Sequence, residues 1–102
     1  MILYNVTVKI DRSVQEEWLA WMQEIHIPAV MDTGFFVRNV MLRLLDPPAD
    51  DEGVTFAIQY YCKHIGALKR YLDEEAPSLQ AEHSRRYEGK FVAFRTVMKV
   101  VE

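Results

Sequence analysis

The side chains that could do chemistry here are few: three histidines, one cysteine, two tryptophans and five tyrosines. His26 stands just before Ile27-Pro28, at the end of a helical stretch. His83 shares a helical stripe with Leu79 and Tyr87, which turns it toward whatever that helix packs on. His64 opens the same helical region and is expected to face solvent. Near a proline interruption a side chain can line a gap between helix and sheet. A histidine there could act as base, proton shuttle or metal ligand. The plainer reading of His26 and His83 is a half-buried ring bonded to a backbone carbonyl, since neither sits in a known ligand motif.

Other chemistries lack their residues. The histidines are not at zinc spacing and form no His-x-x-x-His pair. No Gly-x-Ser-x-Gly occurs, and Cys62 has no evident histidine partner. Cys62 ends a strand on its core side, which predicts a buried, inert thiol. The four glycines are isolated, so there is no phosphate-cradling loop. Arg85-Arg86 could hold an anion, although paired charges on a helix are more often a solvated face. No cofactor and no metal are expected.

The elements that position these groups follow from periodicity. Residues 2–10 alternate, with Ile2, Tyr4, Val6, Val8 and Ile10 on one face and Leu3, Asn5, Thr7 and Lys9 on the other, which predicts a strand. Ser13 to Glu16 fits a capping box. Val14, Trp18, Met22 and Ile25 follow at helical spacing. Pro28 predicts a kink or restart, with a short second segment that Gly34 terminates. Phe35 to Leu45 reads as a strand with two mixed faces, and the acidic, proline-containing stretch 46–53 as a loop. Val54 to Cys62 alternates as a third strand. Ile65, Leu68, Tyr71 and Leu72 mark a helix, interrupted at Pro77 and ending at Glu88-Gly89-Lys90. Phe91 to Val101 is the last strand, with Val92, Phe94, Thr96, Met98 and Val100 expected on the helix side.

The order β-α-β-β-α-β predicts an α+β, ferredoxin-like sandwich over the single domain 1–102: a four-stranded antiparallel sheet, helices on one face, first and third strands central. The uncovered face would then carry Leu3, Tyr61, Phe91 and Val97 beside Asn5, Gln59 and Arg95, too apolar for solvent and too polar for a core. A homodimer through that face would answer both needs.

Composition supports a globular chain. Half of the 102 residues are hydrophobic and 26% are charged, which excludes a disordered tail. The net charge of −3 disfavours bulk nucleic-acid binding. An RNA-recognition module would also need aromatics on the open face of the central strands, where only Tyr61 is expected. No apolar run is long enough to span a bilayer, and the first residues carry no signal-peptide pattern. A cytoplasmic location is the expectation.

Several segments resemble a small bacterial family called domain of unknown function 4286. They are Tyr4-Asn5-Val6-Thr7-Val8, Glu17-Trp18-Leu19-x-Trp21-Met22, His26-Ile27-Pro28, Thr33-Gly34-x-Phe36, Gln59-Tyr60-Tyr61, Ala76-Pro77-x-Leu79, Glu82-His83 and Gly89-Lys90-Phe91-Val92-Ala93-Phe94-Arg95-Thr96. The resemblance covers essentially the whole chain. It implies a ferredoxin-like domain similar to dimeric α/β barrel proteins, a group that includes cofactor-free monooxygenases, isomerases, haem-handling proteins and sensors. It implies no reaction.

Two functions are therefore carried forward. In one, a non-catalytic homodimer binds a small molecule or a partner protein. In the other, a cleft between helices and sheet houses a monooxygenase- or isomerase-like site. There His83 or His26 would be the acid/base, with Tyr60, Trp18 and Trp21 shaping an apolar pocket. A haem-binding variant would use His83 as axial ligand. Trp18, Tyr60, Tyr87, Asn5 and Arg95 are the candidate ligand contacts.

Overall fold

Alternating apolar residues build the centre of the sheet. In the computed structural model, which describes residues 1–101, β1 spans Ile2–Ile10 and β3 spans Val54–Cys62. The two pair antiparallel from Ile2↔Cys62 to Ile10↔Val54. Every second residue of β3 is buried. The edges are β2, Arg38–Arg43, against β3 and β4, Phe91–Lys99, against β1. The order is β2-β3-β1-β4, and every neighbouring pair is antiparallel. This is the ferredoxin-like α+β fold. Tyr4, Val8 and Ile10 of β1 and Phe56, Ile58 and Tyr60 of β3 meet Trp18, Trp21, Leu68 and Tyr71 from the helical layer in one core.

The helical layer comprises α1 (Gln15–Trp21), α2 (Ile27–Asp32), α3 (Ile65–Glu74) and α4 (Ala76–Arg86). A π-helical turn over Met22–His26 joins α1 to α2, with the Ile27 N–H donating to the Met22 carbonyl. Proline's ring clashes with the carbonyl of the preceding helical turn, and a wider turn relieves that clash. Pro28 thus sits in the first turn of α2 and Pro77 in that of α4. Gly34 ends α2 with φ of 83° and donates to the Met31 carbonyl.

Three local expectations are corrected. The Ser13–Glu16 capping box does not form. Asp11 Oδ1 instead accepts from both the backbone N–H and the hydroxyl of Ser13, at 2.8 and 2.6 Å, and a short 3₁₀ turn over Arg12–Val14 precedes α1. A carboxylate two residues back closes a tighter ring than the box requires. The second strand is shorter than 35–45, because Phe36 turns into the core among Tyr60 and Tyr71 before pairing begins. Its mixed faces resolve through register: Asn39, Met41 and Arg43 share the face of Tyr60, Ile58 and Phe56.

The third correction matters most. The face assigned to β4 is inverted. Phe91 pairs with Ile10, Ala93 with Val8, Arg95 with Val6 and Val97 with Tyr4, so these residues share the helix side. Val92, Phe94, Thr96 and Met98 lie on the open face, with Val92 67% and Phe94 61% exposed. Both alternating sets of this strand are apolar enough to serve as a core face, so periodicity could not choose between them. The choice comes from the entry turn, where the Asp11 N–H donates to the Lys90 carbonyl at 2.8 Å. A slip of one residue would invert every side chain.

Candidate functional site

A cleft opens between the helical layer and the helix-facing side of β1, β3 and β4. Its volume is about 490 Å³ counting its mouth, of which a water centre can reach about 40 Å³. That is room for a few waters. The floor is apolar, from Val6, Val8, Ile58, Phe91 and Ala93. Met22 and His26 reach it from the two ends of the π-turn, and Leu79, Gln80 and His83 from α4.

His83 is the buried anchor of this wall. The Trp18 indole N–H donates to its Nε2 at 2.9 Å. An indole nitrogen can only donate, so Nε2 carries the lone pair and Nδ1 the hydrogen. The ring is packed edge-on against Phe91 at 4.5 Å and lies 5.8 Å from His26, centroid to centroid. Burial, with His26 and Arg95 adding to it, pulls its pKa down to about 4. His26 stacks on Trp21 at 5.1 Å, and its pKa is also lowered, chiefly by burial. Both rings are therefore neutral at neutral pH, and only His26 has a nitrogen lone pair not already committed to Trp18.

The other polar groups are hydroxyls and one cation. Tyr4 and Tyr60 are cross-strand partners and line the cleft together with Tyr71. Burial raises the pKa of all three, so they stay protonated. Arg95 and Gln80 lie with Tyr4 in the lining, and Arg95 acts electrostatically on Tyr4, Tyr71, His26 and His83.

The structure thus brings His26, His83, Tyr60 and Arg95 of the sequence candidates to one cleft. Trp18 and Tyr87 are buried behind His83 rather than in the lining. Asn5 lies on the opposite face of the sheet, donating to Thr7 and Thr96 hydroxyls at 2.9 and 3.3 Å. Arg95, expected on the open face, arrives through the inverted β4. Tyr4 and Gln80 were not anticipated. An inward tyrosine on a strand of Ile and Val was the available signal, because a buried hydroxyl needs a partner. His64 is exposed and caps α3, its Nδ1 accepting from the Ala67 N–H at 3.2 Å. Cys62 is buried, and burial raises its thiol pKa. Among the described residues, no three His, Cys, Asp or Glu side chains are grouped to hold a metal ion. Nor is any helix among them long and apolar enough to cross a membrane.

The family model for the domain of unknown function (DUF4286) matches residues 1–101. The chain belongs to this family. No curated protein matches it by sequence. Among solved structures it is similar to a putative antibiotic biosynthesis monooxygenase from Deinococcus radiodurans, with a TM-score of 0.72 at 14% identity, over 100% of this chain and 94% of that one. It is similar to SnoaB, a cofactor-independent oxygenase from Streptomyces nogalater, with a TM-score of 0.66 at 16% identity, over 99% and 93%. A dimeric ferredoxin-like protein from an uncultured marine organism gives 0.70 at 12% identity, over 100% and 96%. At these identities the likeness is one of fold. This DUF4286 chain shares their architecture.

Proposed function

We propose that this DUF4286 protein is a homodimer that binds a small molecule in the cleft between its helices and its sheet. The observation that carries this reading is the lining itself. An apolar floor with a few convergent polar side chains is the usual make-up of a small-molecule site, and here two neutral histidines, three neutral tyrosines and Arg95 converge on it. The test is a fragment screen by ligand-observed NMR on wild type and on Ala93→Phe, which fills the floor. Fragments that bind wild type and lose contact in the variant are expected. Binding indifferent to Ala93→Phe would overturn the cleft as the site.

The homodimer reading rests on the open face, where Val92, Phe94, Met98 and Leu42 are exposed together with polar neighbours. Fold neighbours described as dimeric add weight. Light scattering is expected to give twice the 12.0 kDa chain mass. A mass of one chain at micromolar concentration would overturn it.

A second reading is favoured by the neutral His26 ring at the cleft. A cofactor-free monooxygenase would use His26 to take a proton from a phenolic substrate. The phenolate would then reduce dioxygen by four electrons, becoming a quinone that keeps one oxygen atom while the other leaves as water with two hydrogens of the substrate. Oxygen uptake with an electron-rich phenol, abolished by His26→Ala, supports this reading; no uptake across such phenols removes it.

A further inference from the structure

Apart from the free lone pair of His26 and the amide carbonyl of Gln80, the polar lining of the cleft offers hydrogens, and it holds no carboxylate. Arg95 has donors only. The hydroxyls of Tyr4, Tyr60 and Tyr71 keep their hydrogens, because burial holds these groups neutral. His83, with its Nε2 taken by Trp18, has an N–H and no free lone pair. Glu75 acts on Tyr71 and Glu82 on His26, both from outside the lining. Beyond His26 and Gln80 the remaining surface is apolar, from side chains such as Val8, Ile58, Leu79 and Phe91.

We infer that the occupant is an organic anion with a flat, apolar body, its carboxylate or phenolate oxygen at Arg95 and the tyrosine hydroxyls, its body between Leu79 and the sheet floor. This rests on the reading that the cleft binds a small molecule. A charged oxygen meeting a guanidinium and hydroxyl donors forms the stronger, charge-assisted class of hydrogen bond. A cation would meet Arg95 with no counter-charge in the lining. A neutral carbonyl would accept from the same donors only through the weaker, uncharged class of hydrogen bond. The small enclosed volume, about 40 Å³ to a water centre, favours a single ring over a larger body.

The test uses three probes of one size: benzoate, benzamide and benzylamine, titrated near neutral pH into wild type and Arg95→Gln and followed by NMR at cleft residues. Arg95 is exposed on an edge strand, so the variant is expected to fold as wild type does. Benzoate is expected to bind wild type about tenfold more tightly than benzamide, with benzylamine weakest. Arg95→Gln is expected to bring benzoate down to the benzamide level while leaving benzamide within about twofold. Phenolate in place of benzoate, compared above and below its pKa, separates the two anion types. Equal binding of benzoate and benzamide, or benzoate binding indifferent to Arg95→Gln, would overturn the anion and leave the cleft reading standing. No shift at cleft residues from any probe at millimolar concentration would overturn both.

Discussion

The Trp18 indole donates its hydrogen to His83 Nε2 across 65 residues of sequence, at 2.9 Å and fully inside the protein. This bond joins α1 to α4 and sets which nitrogen of His83 is protonated. It also limits what His83 can do, since a nitrogen already accepting a hydrogen is a poor general base. Under the proposed oxygenase reading, the base is therefore His26 rather than His83. Trp18→Phe removes the donor and, because phenyl is smaller than indole, leaves a cavity beside His83. It is expected to cost about 2–4 kcal/mol in urea unfolding, from the lost bond and the cavity together. The His83 pKa should rise in the same variant, because its neutral form loses a stabilising partner; an unchanged NMR titration would contradict this.

Stability should depend on pH through the same ring. His83 has an ordinary pKa of 6.5 and a folded value of about 4. Between these values the unfolded chain binds the extra proton and the folded chain does not, so stability rises with pH. It is fully present above about pH 6.5 and about 3 kcal/mol of it is lost by about pH 4. His26 is shifted the same way by burial and adds to the slope. In His83→Gln, which retains an acceptor for Trp18, unfolding curves across this window should flatten.

Phe94 is 61% exposed on the open face of β4. Phe94→Lys should leave monomer folding within about 0.5 kcal/mol, as for an exposed surface site. It should also reduce the mass by light scattering to that of one chain. Retention of the two-chain mass would place the interface elsewhere.

Gly53 sits where the loop after β2 returns to β3, and a Cβ there would run into the backbone carbonyl of Ile10. The obstacle is backbone of the central strand, so it cannot swing aside. Gly53→Ala should cost about 1–3 kcal/mol in thermal or urea unfolding. An unchanged midpoint would show that the 46–53 loop yields instead.

At the other end of the molecule, His64 caps α3. His64→Asp keeps a side-chain acceptor for the Ala67 N–H and adds negative charge at a helix N-terminus, so it should stabilise by about 0.3–1 kcal/mol. His64→Ala should destabilise by about 1 kcal/mol, read from the same unfolding curves.

Much of the frame was legible from local pattern. The alternation of residues 2–10 and 54–62 identifies both central strands with their bounds and faces, because a side-chain period of two needs no information from elsewhere. Pro28, Gly34 and Pro77 mark helix boundaries through backbone chemistry that each residue carries with it. His83 and Tyr87 are buried as their shared stripe implies.

The site was legible only in part, and for a physical reason. Both faces of β4 are apolar by alternation, so only the Lys90–Asp11 backbone bond and the pairing of Phe91 with Ile10 decide that Arg95 faces the helices. The open face that its inversion leaves is correspondingly more apolar, with Val92, Phe94 and Met98 outward. The state of His83 depends on a tryptophan from another helix, and the hydroxyls of the cleft come from β1, β3 and α3. Local periodicity determines which residues can share a face. Register and long-range hydrogen bonds, which bring together residues far apart in the chain, decide which face meets which partner and so what chemistry the cleft presents.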